Sequence, residues 1–292
     1  MAVTLHLGVH KTATTHLQKS LKLSQPALQD AGVFFAGPDD LRGTELPVID
    51  AINQAGHRDL SLKQRARDRL AEIRARFPQL LLSDENMIGG TNRGGLFRGG
   101  QIYPDAAARL RKVIDLLGGG PVRLALSIRD PASYHVSAFA LQLARGKELD
   151  LQDYMRGRDP AVIGWSALVE RLLSVEGVSE LILWRYEDYR PLRPRILQAL
   201  LPEGFAGTIT DPPPANVTVT QAGYDWLMAR AMEDSDSDLR QLAHDAWKRF
   251  PKSAGHSSLR LFEDAVYARS ADLYAREIAQ LRGFERVSFL TP

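Results

Sequence analysis

Four short apolar runs, at residues 3–7, 79–82, 122–128 and 181–184, are separated by long stretches of helical periodicity. That alternation constrains the fold more than any other feature of the chain. Strands alternating with helices build βαβ units and a parallel sheet covered by helices on both faces, joined by right-handed crossovers. Between the first run and the second, Leu62, Ala66, Leu70, Ile73 and Phe77 recur at helical spacing, with the Arg and Lys residues mostly on the opposite, solvated face. A second helix is expected from about 105 to 117, stopped by Gly118-Gly119-Gly120. From Pro202 to Thr220 the pattern breaks, and Asp211-Pro212-Pro213-Pro214 reads as a loop or linker. The remainder is expected to be helical, at 221–233, 238–250 and 259–281, with no strand set for a second sheet. The expectation is therefore one domain over 1–292, α/β, with a helical C-terminal portion from about 215 and no internal repeat.

Composition narrows the function. The 292 residues are 44% hydrophobic and 25% charged, which suits a globular protein with a sizeable core. The absence of cysteine excludes disulfides, thiolate metal sites and a Cys nucleophile. A net charge of +2 gives no support to a nucleic-acid partner. No apolar run approaches the roughly 20 residues that span a bilayer, and no signal peptide is visible. The chain is expected to be cytoplasmic and complete. Its oligomeric state is not legible.

The first run leads into Gly8-Val9-His10-Lys11-Thr12-Ala13-Thr14-Thr15-His16-Leu17-Gln18. A strand–loop–helix of this kind points backbone N–H groups and the positive end of a helix dipole at an anion. Lys11 can neutralise a phosphate as a point charge, and Thr12, Thr14 and Thr15 can donate to its oxygens. Thr15 and Gln18 also fit a capping box, which accounts for one threonine and the glutamine but not for the whole Lys-Thr-Ala-Thr-Thr run. The motif is not a Walker A, because Gly8 precedes Lys11 by only three residues.

The third run ends in Arg129-Asp130-Pro131, with Ser137 eight residues after Arg129. Asp130 can cap a helix and Pro131 suits its first position, so Arg129 is expected at the carboxyl end of a strand beside a helix N-terminus. A guanidinium fork and a serine hydroxyl suit a phosphate monoester. The second run ends in Ser83-Asp84-Glu85-Asn86. Ligands of open α/β sheets bind outside the carboxyl ends of the strands, where Lys11, Glu85 and Arg129 are each expected. Asp84 or Glu85 can equally cap a turn or pair with an arginine. A strand ending in Asp-Glu is also compatible with a Walker B and Mg²⁺. After it, residues 88–100 carry six glycines, read as a mobile loop.

These motifs resemble those of 3′-phosphoadenosine 5′-phosphosulfate (PAPS)-dependent sulfotransferases of the bacterial type, in which Lys-Thr-Gly-Thr-Thr follows the first strand and an Arg, a Pro and a Ser hold the 3′-phosphate. The resemblance covers roughly residues 3–190. It implies a P-loop-like fold, PAPS as co-substrate with PAP as product, no metal, and a hydroxyl or amine of a carbohydrate or small-molecule acceptor. It places Lys11, Thr12, Ala13, Thr14 and Thr15 on the 5′ side of the donor, and Arg129 and Ser137 on its 3′-phosphate. It makes Glu85 the general base, ahead of Asp84 and His10. Arg93 and Arg98 are then expected to face the acceptor. Ala13 stands where the family usually has Gly, and an alanine is tolerated there if its φ is negative. Asn216-Val217-Thr218 resembles a short motif of some bacterial members, and the Lys252–His256 segment is a second basic loop. Two other classes stay open: a Mg²⁺-dependent phosphotransferase and a non-catalytic nucleotide-binding module.

Overall fold

The computed structural model describes residues 2–53, 60–147, 150–213, 219–233 and 238–292. The chain is α/β, with a six-stranded sheet whose paired strands all run parallel, flanked by helices. Its strands are β1 (Ala2–His6), β2 (Val33–Ala36), β3 (Gln79–Ser83), β6 (Val122–Ile128), β7 (Val178–Arg185) and β8 (Val287–Phe289). They lie in the order β2-β3-β1-β6-β7-β8. Two further strands, β4 (Phe97–Arg98) and β5 (Gln101–Ile102), form a small antiparallel hairpin.

The four expected strands are β1, β3, β6 and β7, the central part of the sheet. Both edge strands escape the sequence reading. β2 has only four residues and β8 three, too short for an apolar run to stand out from a helix flank. The helices Leu60–Arg76, Ala106–Leu116, Gln221–Glu233 and Leu239–Arg249 fall where periodicity puts them. The last long helix starts at Asp264 instead of 259. The Gly118 stop also holds: φ is +77° and its N–H returns to Asp115 O at 3.0 Å.

Packing divides the chain into two compact units. The first is Met1–Arg129, Gly164–Pro212 and Glu277–Pro292; the second is Asp130–Ile163 and Pro213–Arg276. In the first, one face of the sheet buries Phe35, Leu81, Ala125, Ile182 and Trp184 against Leu17 and Leu21 of helix Thr14–Leu23 and Leu192 and Ile196 of helix Tyr189–Leu200. In the second, helix Pro131–Leu143 contributes Val136 to a cluster with Val219 and Leu259, and Leu227 packs on Ala243 and Ala246. Asp130 caps that helix as expected, accepting from Ser133 N at 3.0 Å and from Ser270 Oγ at 2.7 Å. Asn216-Val217-Thr218 lies outside the described residues.

Candidate active site

β1 and β3 are paired in register, His6 opposite Ser83, so the loops that follow them leave the sheet side by side. The first loop turns on left-handed backbone at Gly8 (φ +47°), Lys11 (+70°) and Ala13 (+63°). Gly8 is required twice over: a Cβ there would lie 2.1 Å from Thr14 Cγ2. Ala13 corrects the expectation of a negative φ; it occupies left-handed backbone that a glycine would hold without a steric cost. Left-handed Lys11 and Ala13 on either side of Thr12 give the alternating backbone of an anion-binding nest. The helix begins at Thr14 with Ala13 as its cap residue, and no side chain caps it.

The side chains of this loop do not all face outward. Thr12 Oγ1 donates to Val9 O at 2.6 Å, and Thr14 Oγ1 donates to Glu85 Oε1. Those hydroxyl protons are committed within the chain, which leaves Thr15, exposed on the first helical turn, as the threonine open to an anion. The Thr15–Gln18 capping box does not form. Gln18 Nε2 instead donates to Ser83 Oγ and to Glu85 Oε2, both at 3.2 Å.

Glu85 is thus nearly enclosed, 7% exposed, with each carboxylate oxygen accepting a hydrogen bond. Burial pushes its carboxyl up, but the charge His10 can carry and the bonds from Thr14 and Gln18 outweigh burial, and it lies below the usual carboxylate range. The neighbouring Asp84 has a different fate. It is fully buried, takes a two-pronged bond from Arg42 (2.8 and 2.7 Å), and caps the following turn by accepting from Asn86 N at 2.8 Å. Burial raises its carboxyl, only partly offset by Arg42. Asp84 is the structural carboxylate of the pair. Arg42 itself has no signal in the sequence.

Beneath the loop, His6 Nδ1 is 2.7 Å from Ser83 Oγ, and its ring stacks on Trp184. Burial lowers its pKa to about 4, despite the nearby Glu85. Arg129 sits at the carboxyl end of β6 as expected. Its Nη1 donates to Lys11 O at 2.9 Å, its guanidinium lies 4.4 Å over the Tyr186 ring, and its backbone carbonyl accepts from Trp165 Nε1 at 3.0 Å. Arg129 therefore tethers the left-handed Lys11. Ser137 belongs to the second unit, buried on helix Pro131–Leu143. Lys252–Ala254 is a single helical turn, ended by left-handed Gly255.

The glycine-rich segment contains regular elements where its composition suggests a loop. Asn92 caps a four-residue helix, Arg93–Leu96, and left-handed Gly99 and Gly100 turn the β4–β5 hairpin. Arg93 opens that helix, and Arg98 is exposed and ion-paired with Asp105. Tyr103 follows, fully buried at φ +46°, and its hydroxyl reaches His10. Nothing in the sequence marks it. Among the described residues no three His, Asp or Glu side chains gather as metal ligands, and no helix is long and apolar enough to cross a membrane.

No protein-family model matches the chain, and no curated protein matches it in sequence. Among solved structures it is similar to a sulfotransferase from Alicyclobacillus acidocaldarius, at 16% identity over 85% of this chain and 99% of that one, with a TM-score of 0.40. A score of that size transfers nothing from that protein to this one.

Proposed function

We propose that the chain is a PAPS-dependent sulfotransferase acting on a hydroxyl or amine of a carbohydrate or small-molecule acceptor. The observation that carries the reading is the loop after β1: left-handed Lys11 and Ala13 in a Lys-Thr-Ala-Thr-Thr run, at the start of a ten-residue helix, with Glu85 packed beneath. Lys11, the loop amides and Thr15 take the 5′ phosphosulfate and stabilise charge on the leaving phosphate. Glu85, ionised at neutral pH, takes the acceptor proton. The 3′-phosphate role of Arg129 and Ser137 rests on their sequence spacing, and the acceptor role of Arg93 and Arg98 on their place after β3.

The test is a nucleotide panel by calorimetric titration: PAP, AMP, and ATP with Mg²⁺, followed by sulfuryl transfer from PAPS with EDTA present. PAP is expected to bind at least about tenfold tighter than AMP, as one charged hydrogen bond provides, and transfer is expected to survive the chelator. Equal affinity for PAP and AMP, or strict dependence on Mg²⁺, overturns the reading. Glu85→Gln separates two roles: lost transfer with unchanged PAP affinity makes Glu85 the base, whereas loss of both makes it a brace for Thr14.

A further inference from the structure

Tyr103 is a bulky residue in left-handed backbone, where non-glycine residues are outliers. Outliers of this kind persist only when their surroundings over-determine them, and they cluster at functional sites. Arg171 supplies that determination, donating from Nη1 to Tyr103 O at 2.8 Å and from Nη2 to Ile102 O at 2.6 Å. Tyr103 N donates to Leu96 O at 2.7 Å, and Gly89 leaves room for the ring, since a Cβ there would lie 2.6 Å from Tyr103 Cδ1. So held, the phenol points at the loop after β1. Its hydroxyl accepts the His10 backbone N–H at 3.0 Å and lies 2.8 Å from His10 Nδ1, with the two rings stacked.

The other side of the imidazole is set by Asn86. That amide satisfies its neighbours with Nδ2 toward His10 Nε2 (3.2 Å) and Gly89 O (3.3 Å), and Oδ1 toward Arg42 Nη2 (3.1 Å). Nε2 is then an acceptor, so the proton of neutral His10 sits on Nδ1 and goes to Tyr103. We propose that Tyr103 is a positioning residue for the anion loop: its hydroxyl locks His10 in the Nδ1–H tautomer and takes its backbone N–H, so that the donor is left to the amides from Lys11 onward. The charged groups around this lock are Arg42 and Arg109, which reach it through Asn86 Oδ1 and Asn86 O, Arg171 through Tyr103 O, and Glu85 through its interaction with His10.

The effect on turnover rests on the sulfotransferase reading; the tautomer does not. Long-range ¹⁵N–¹H spectra of the ligand-free protein, with the His10 signals assigned by their loss in His10→Asn, read it directly at neutral pH. Wild type is expected to show the proton on Nδ1. Tyr103→Phe is expected to shift the population toward Nε2–H and to lower kcat about tenfold, with KM for PAPS within about threefold. A wild-type signal from Nε2–H, or an unchanged tautomer in Tyr103→Phe, overturns the proposal. Should Tyr103→Phe fail to fold, Asn86→Asp, which presents only acceptors to Nε2, is expected to move the neutral His10 proton off Nδ1 while wild type keeps it there; no difference between the two overturns the proposal. If wild type transfers no sulfuryl group, the functional reading fails while the spectra still decide the role of Tyr103.

Discussion

The loop at residues 8–13 follows β1, and the glycine-rich segment at 89–100 follows β3, its neighbour in the sheet. In the first, Lys11 and Ala13 hold left-handed backbone that glycine would hold without a Cβ penalty. In the second, Gly89 and Gly95 have ordinary φ, and glycine is needed for space: a Cβ at Gly95 would lie 2.6 Å from Gly90 O and 3.0 Å from Gly90 N. Side chains are thus kept at Lys11 and Ala13, where backbone geometry argues against them, and omitted at Gly89 and Gly95, where space and not φ forbids them. At Lys11 the first pattern suits the proposed site, because a charge must be presented to the ligand, whereas the Ala13 methyl packs on the core. The second is what close packing requires.

Lys11→Ala tests the first half most severely. Sulfuryl transfer is expected to fall about 10²–10³-fold, the usual loss for one donor to a developing charge, with the melting temperature close to wild type. Stability falling in step with activity would make Lys11 a packing residue and erase the contrast.

Gly95→Ala tests the second half. The obstructing atoms are backbone, so they cannot swing aside as a flexible side chain can. Chemical denaturation is expected to show a loss of about 1–3 kcal/mol. A neutral substitution would mean that the segment yields readily, as its composition alone suggests.

Acid tests the buried groups on which the first loop rests. The folded His6 value, about 4, lies below the ordinary 6.5, so below pH 6.5 the unfolded chain binds a proton that the folded chain refuses. Its stabilising effect is complete above 6.5 and declines as pH falls toward 4. Glu85, held below its ordinary 4.5, adds stability that is lost only as pH falls further, through its folded value. In the second unit, His135 is lowered to about 3 by burial and acts in the same direction as His6. Thermal melts are expected to decline progressively below pH 6.5, and His6→Asn to flatten the upper part of that decline. A melting temperature constant down to pH 4.5 would contradict the burial of these imidazoles.

The sequence shows the middle of the sheet and the order of its motifs because both rest on local signals, apolar runs and residue types at fixed spacing. It does not show which threonines turn inward. Thr12, Thr14 and Thr15 are alike in the string, yet two donate to Val9 and Glu85. Nor does it separate Asp84 from Glu85, because the partner that commits Asp84, Arg42, lies over forty residues away and carries no motif. Tyr103 is invisible for the same reason: its left-handed backbone is imposed by Arg171, Leu96 and Gly89, all distant or generic in sequence.

The smallest effect is the most exact measure of the contrast. Ala13→Gly removes a Cβ from left-handed backbone at φ +63°, relieving about 1–2 kcal/mol. Against that stand the greater freedom of an unfolded glycine, about 0.4–1 kcal/mol, and the loss of a methyl packed against the core cluster to which Leu17 and Trp184 belong. A buried CH₂ contributes about 0.8 kcal/mol, and this one is only partly buried. The opposing effects nearly cancel, so Ala13→Gly is expected to fall within about 0.5 kcal/mol of wild type, with PAP affinity unchanged. Gly95→Ala, the reverse exchange in the other segment, should cost at least twice that. A loss above about 1 kcal/mol in Ala13→Gly would mean that the methyl and its packing hold the loop in place. A gain of that size would mean that the loop carries uncompensated strain, and that alanine is kept at position 13 for something other than stability.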